Sequence, residues 1–349
     1  VTAATRDGRV TAATHYDVAV AHRSRGGEIA LLAVSVVVAL LLGEVAVRLL
    51  SPRERKPGYA PVRTERRALR PINSRGYRDF ERTLPKPPGV RRVVCIGDSF
   101  TWGASILFDD AWPQRVERTL TRERHEPWEA VNLAESGLNA VQEAGRLQSE
   151  GFAYDPDVVV VAYVLNDSED ASAAEARRAA DWLEERKHPP PPSLLDRSAL
   201  FRLVRDRVRA TLENRRRIED FRSMYAEDYP GWAAARRALA AMGGMCREHG
   251  VPLVVAIFPL FGNPLDDRYP FAGIHAKVGQ AAAEAGAMVV DLLPFYRGID
   301  WRLLVVDGPD DEHPNEIAHR IAAQAIARAV QEVTDDSRGR ERVRANHRN

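Results

Sequence analysis

The stretch Val93-Val94-Cys95-Ile96-Gly97-Asp98-Ser99-Phe100-Thr101-Trp102-Gly103 decides how the chain is read. Its first four residues are apolar and rich in β-branched side chains, which predicts a buried strand. Gly97 then breaks the strand, and Asp98-Ser99 stands where a helix can begin. In an open parallel sheet this junction is the carboxyl end of a strand, where ligands bind in the crevice. A serine there is exposed at a strand-to-helix turn with backbone N–H groups close by, a sound place for a nucleophile. The same residue type also serves as a plain helix cap, so the remainder of the chain has to discriminate.

Outward from this turn the pattern alternates. Val93–Ile96, Ala130–Leu133, Asp157–Leu165, Val251–Phe258 and Met288–Leu292 read as strands. Helical spacing covers Trp112–Arg124, the stretch from about Asn139, Trp232–His249, Ala272–Ala285 and Glu316–Val333. Asp157–Leu165 is almost continuously apolar, as a central strand covered on both faces should be. Strands alternating with helices imply an α/β fold, a three-layer α/β/α sandwich around a mostly parallel five-stranded sheet. That domain spans 91–333. Within it, Ser168–Gly231 interrupts the alternation with two charged helical stretches separated by Pro189–Pro192. This insert leaves from the carboxyl end of a strand, on the side of Ser99, and reads either as a lid or as a surface helical pair.

The N-terminal part is different in kind. Residues 1–28 are polar and small, with Val-Thr-Ala-Ala-Thr at 1–5 and again at 10–14, and read as a disordered tail. Ile29–Val47 is apolar except for Ser35, Gly43 and Glu44. It is just long enough to cross a bilayer, so 29–50 reads as a transmembrane anchor. Arg9, Arg23 and Arg25 precede the span, whereas Arg53, Arg55, Lys56, Arg63, Arg66 and Arg67 follow it. Taken literally, that bias puts the following domain in the cytoplasm. Long domains translocate largely regardless of nearby charge, and an extracytoplasmic catalytic domain on a single-pass anchor is the reading adopted. Residues 51–90 read as an extended, Arg- and Pro-rich connector, and 334–349 as a disordered tail.

Fifty basic and 49 acidic residues leave a net charge of +1, which supplies no global reason to expect nucleic acid. Two cysteines, Cys95 and Cys246, lie among apolar neighbours and read as free buried thiols; a disulfide scaffold is excluded.

Acyl transfer by a serine requires a base, a group that orients the base, and donors for the tetrahedral oxyanion. His313, in the loop Asp307-Gly-Pro-Asp-Asp-Glu-His313 after the last strand, is the base candidate. Asp310 lies three residues before it, and Asp307 and Asp311 are neighbours able to take the orienting role. Gly137 after the second strand and Asn166 after the third are donor candidates. His319, six residues beyond His313, raises a metal-pair alternative, which no further ligand cluster supports.

Gly97-Asp98-Ser99, Gly137, Asn166-Asp167 and Asp310-x-x-His313, in that order and each after a strand, resemble the four blocks of the SGNH hydrolase (GDSL-like esterase/lipase) superfamily. Asn73-Ser74-Arg75-Gly76-Tyr77-Arg78 further resembles membrane-anchored bacterial members. The resemblance implies a flavodoxin-like SGNH fold with Ser99 as nucleophile, His313 as general base and Asp310 as its orienting group. It implies an oxyanion hole from the Ser99 and Gly137 N–H groups and the Asn166 amide, and no cofactor or metal. Two positions depart from the blocks: Val164 stands where glycine is usual, and Ala318 precedes His319. Both spare the catalytic side chains and bear on pocket shape. The implied activity is hydrolysis of a carboxylic ester on a small molecule or polymer, such as an acetylated carbohydrate or a lipid. The alternatives are O-acyl transfer to a sugar or polymer hydroxyl by the same residues, and a non-catalytic binding protein on the same fold.

Overall fold

Five apolar runs pair into one sheet because their backbone donors and acceptors, once buried, need partners. In the computed structural model, which describes residues 25–50, 71–170, 193–306 and 312–346, these are β1 (Arg91–Gly97), β2 (Trp128–Asn132), β3 (Val158–Tyr163), β4 (Leu253–Ile257) and β5 (Met288–Asp291). The order is β2-β1-β3-β4-β5, and every neighbouring pair is parallel. The sheet is therefore wholly parallel rather than mostly so. All six residues of β3 are fully buried, as a central strand with helices on both faces must be.

The helices are α1 (Arg25–Leu50), α2 (Ser99–Trp102), α3 (Trp112–Arg124), α4 (Ala140–Ser149), α5 (Ala199–Ser223), α6 (Pro230–Glu248), α7 (Ala272–Glu284), α8 (Leu293–Tyr296) and α9 (Glu316–Asn346). On one face α3 packs against α9; on the other α4 packs on α6, and α6 on α7. Right-handed crossovers produce this division. The chain reverses direction across the sheet between β1 and β3, opening a crevice at their carboxyl ends. Gly97 and Ala162 are register partners there, so the residues after β1 and β3 emerge side by side.

Two compact units divide the chain: Val1–Glu54 with Pro191–Val208, and Arg55–Pro190 with Arg209–Asn349. The larger holds the sheet. The smaller holds α1, whose Gly27–Leu50 stretch of 24 residues, mean hydropathy 2.6, is long and apolar enough to span a membrane.

Two boundaries differ from the sequence reading. The later part of the 51–90 connector is no extended linker: Tyr77, Arg78 and Asp79 are buried in the larger unit. Asp79 accepts from the Asn132 N–H at 3.2 Å and pairs with Arg82, so charged side chains here replace the apolar ones that usually announce a core segment. At the other end, α9 continues through Asn346 where a disordered tail is expected from 334. Thr334 bonds back to the Val330 carbonyl, and Asp335 pairs with Arg124 at 2.6 Å. The 335–346 stretch lacks proline and holds four arginines, a good helix former, so a polar composition there extends a helix. The expected tail 1–28 lies largely outside the described residues, as does 171–192 of the insert.

Candidate active site

The turn that carries Ser99 is built by close packing. A Cβ on Gly97 would stand 2.1 Å from Thr101 Oγ1 and 3.2 Å from the Ala162 carbonyl oxygen, so only glycine lets α2 fold back over the end of β1. Asp98 caps α2, its carboxylate accepting the Phe100 N–H at 2.9 Å. Gly103 ends the turn at φ +77°, its N–H on the Ser99 carbonyl.

Ser99 and His313, 214 positions apart, meet in this crevice: His313 Nε2 lies 3.0 Å from Ser99 Oγ. That is hydrogen-bond distance for transfer of the hydroxyl proton to the imidazole. Phe100 stands beside the imidazole, with ring centroids 5.7 Å apart. Val305 and Pro314 bridge the chain on either side of the His313 loop. Asn315 ties it further, its side-chain amide donating to the carbonyls of Leu303 and Val305.

Asn166, just past β3, donates its amide to Asp98 Oδ2 at 3.1 Å, and the same oxygen is 3.5 Å from Ser99 Oγ. The amide is thus next to Ser99 Oγ and already oriented by a buried carboxylate. Gly137 sits exposed in the loop after β2 at φ +84°. That loop is tied to the strand bearing Ser99 by the Glu135 N–H on the Gly97 carbonyl at 3.3 Å. Asp310, with Asp307 and Asp311, lies outside the described residues.

Asp98 is buried, and burial raises its pKa. The Phe100 N–H, the Asn166 amide and then His313 oppose that rise. Behind it, Glu143 of α4 and Asp167 are also fully enclosed and pushed well above the usual carboxylate range, chiefly by burial and then by neighbouring carboxyls. Asp167 keeps one oxygen on the Val164 N–H at 2.7 Å, which fixes the turn carrying Asn166. His319 does not join the site. It is buried, accepts the Trp112 N–H on Nδ1 at 3.2 Å, and is driven down to about 3, first by burial and then by Arg115 and Arg78. A neutral imidazole holding a backbone N–H is a structural part. Among the described residues no group of three or more His, Cys, Asp or Glu is placed to hold a metal.

Several supporting residues escape the sequence reading. Arg78 is fully buried, and its guanidinium donates to the carbonyls of Trp102 (2.8 Å), Gly103 and Ile106 (2.7 Å), gripping the turn that carries Ser99. Asn132 adds a bond from its amide to the Thr101 carbonyl at 3.2 Å. Tyr225, in the returning part of the insert, donates its hydroxyl to the Leu165 carbonyl at 2.9 Å, one residue before Asn166. Arg217 of α5 forms an ion pair with Glu312, the neighbour of His313. The unusual Asn-x-x-Gly-Tyr-Arg stretch is the one available signal for Arg78; Arg217 belongs to the Arg215-Arg216-Arg217 run, which among Glu213, Glu219 and Asp220 reads as a solvated face, and Tyr225 carries no signal.

Comparison with known proteins places the chain in a family. The family model for the GDSL-like Lipase/Acylhydrolase family matches residues 95–321. The chain belongs to that family, a family of hydrolases. It is similar to a lipolytic protein of the G-D-S-L family from Desulfitobacterium hafniense, at 15% identity over 68% of this chain and 98% of that one, TM-score 0.41. A catalytic mutant of Axe2, an acetylxylan esterase from Geobacillus stearothermophilus, matches at 16% identity over 69% and 94% of the two chains, TM-score 0.44. LAE5, an alpha/beta hydrolase enzyme from the metagenome of Lake Arreo, matches at 17% over 72% and 97%, TM-score 0.44. No curated protein matches the sequence.

Proposed function

We propose that the chain is a membrane-anchored serine esterase that cleaves a carboxylic ester through an acyl-enzyme. The observation that carries this reading is the 3.0 Å approach of His313 Nε2 to Ser99 Oγ at the carboxyl edge of the sheet. In the proposed sequence of steps, Ser99 Oγ attacks the ester carbonyl as His313 takes its proton. The carbonyl oxygen becomes an oxyanion held by the Asn166 amide and the N–H groups of Ser99 and Gly137. Collapse expels the alcohol, which receives the proton from His313. Water, deprotonated by the same imidazole, then attacks the acyl-Ser99; the acid leaves, and Ser99 Oγ takes that proton back from His313. Asp310, three residues before the base, is assigned to orient the imidazole, and the reaction requires no cofactor. Supporting the anchor is α1, which carries no large exposed charge between Ile29 and Gly43.

The test is turnover of short-chain aryl esters and acetylated sugars by the full chain in detergent, with water and free sugar as competing acceptors. Wild type hydrolyses the ester and Ser99→Ala does not, with the thermal unfolding midpoint unchanged. Equal turnover by the two proteins would reject the assignment. Acyl transfer in preference to hydrolysis would move the reading to an O-acyltransferase that uses the same residues.

A further inference from the structure

The smaller unit contains a carboxylate where the lipid environment makes one costly. Glu44 lies inside the apolar span, six residues before Leu50, or about 9 Å along the helix axis. It is fully engaged. Its oxygens accept the N–H groups of Ala199 and Leu200, both at 2.9 Å, and the Ser198 hydroxyl at 2.8 Å. Arg48, one turn on, donates to it at 2.6 Å and also reaches the Arg197 carbonyl at 3.2 Å. Glu44 thus serves as a cap, supplied from 155 positions away, for the N-terminus of α5. Beside it, Gly43 leaves room for the Leu200 side chain, which would stand 3.1 Å from any Cβ at that position. The start of α5 is therefore held at the depth of Glu44.

From that point α5 is amphipathic. Phe201, Val204, Val208 and Leu212 follow one another at three- and four-residue spacing along one face, and no residue of α5 is buried. Val204, Val208 and Leu212 are each more than half exposed, at 52–53%. Such a run of side chains is ill suited to water, and its position says what covers it. Arg205 and Arg209 flank the stripe on one side and Arg207 on the other, with Arg202 further round; Asp206 is the single acid as far as Leu212. Arginines beside an apolar stripe have long stems that lie on hydrocarbon while their charges reach phosphate. A helix of this composition lies in the membrane plane, its apolar face about 5–10 Å into the boundary between headgroups and acyl chains. The depth set by Glu44 falls in that range.

We propose that the first half of α5, Ala199–Leu212, is an interfacial helix that beds into an anionic lipid surface beside the membrane anchor, with Glu44 as the clamp between them. This rests on the reading of α1 as a membrane span. It makes part of the 168–231 insert a second lipid contact.

The experiment uses the full chain reconstituted in phosphatidylcholine vesicles containing about one-quarter phosphatidylglycerol. A single environment-sensitive fluorophore is placed through Val37→Cys, Val204→Cys or Asp206→Cys; Cys95 and Cys246 are buried and do not compete. Quenching is read from nitroxides on the acyl chain and from iodide in the water. The expected result is loss of about half the emission or more to the lipid quencher at 37 and 204, with iodide quenching dominant at 206. Adding Glu44→Gln should raise iodide quenching at 204 and leave 37 unchanged. Iodide access at 204 equal to that at 206, with 37 still quenched by lipid, overturns the interfacial helix and leaves the anchor standing. Protection of 204 from both quenchers means that protein, rather than lipid, covers the stripe, and also overturns it. A position 37 insensitive to the lipid quencher refutes the anchor, and the interfacial helix falls with it.

Discussion

Ser99 Oγ has two partners within reach, His313 Nε2 at 3.0 Å and Asp98 Oδ2 at 3.5 Å, and the same Asp98 oxygen holds the Asn166 amide beside it. Asn166→Ala should therefore lower kcat by about 10²–10³ with a small effect on KM, as loss of one oxyanion donor does. An unchanged kcat would remove Asn166 from the oxyanion hole. His319 supplies a pH prediction at the same scale. Its folded pKa of about 3 lies below the value of about 6.5 for a free imidazole, so between these limits unfolding takes up a proton. The stability it contributes is present above pH 6.5 and is lost as pH falls, by about 1.4 kcal/mol per unit in the middle of that window. Urea unfolding of wild type and His319→Gln, followed from pH 7 to pH 4.5, should show a shallower decline in the variant. Parallel curves would mean that His319 is not held neutral. Ser99, Asn166 and His313 were legible because each is a chemically loaded residue at a strand end. Asp98 was legible only as part of a motif, since its work depends on an amide 68 positions away.

At the scale of elements, the sheet was readable because burial on both faces writes itself as an unbroken apolar run, most clearly in β3. Helical spacing marks Trp112–Arg124, and the helix occupies that range with a proline in its first turn. What stayed hidden was the support for α2. A four-residue helix has too few internal hydrogen bonds to hold itself, and here Arg78 saturates the carbonyls of Trp102, Gly103 and Ile106 from a segment that reads as a linker. Such a contact leaves no periodic trace. Arg78→Lys keeps the charge but not the planar fork, and so leaves buried carbonyls unpaired. It should cost about 3 kcal/mol in urea unfolding and lower kcat with it, because the turn presenting Ser99 loosens. A variant with wild-type stability and turnover would show that α2 is held by Asn132 and Asp98 alone.

Over the whole molecule, sequence and structure divide the labour unevenly. The strand order puts β1 next to β3 and so sets Ser99 beside Asn166, whereas His313 follows β5 at the sheet edge and its loop returns across the carboxyl ends of the strands to reach Ser99. Fold by itself licenses no activity, which is why the Ser99–His313 geometry and the family membership bear the functional conclusion together. The insert was open to two readings, and its described part favours neither a free lid nor an idle surface pair. Tyr225 and Arg217 tie its returning half to the residues around Asn166 and His313. The start of α5, in the other unit, is tied to the apolar span through Glu44.

The proposed chemistry requires Ser99 to be an activated nucleophile. Treatment of the full chain with a fluorophosphonate, read by intact mass, tests it most directly. One adduct per wild-type chain is expected, absent from Ser99→Ala and formed far more slowly in His313→Ala. No adduct on folded wild-type protein, or an adduct that persists in Ser99→Ala, would contradict it.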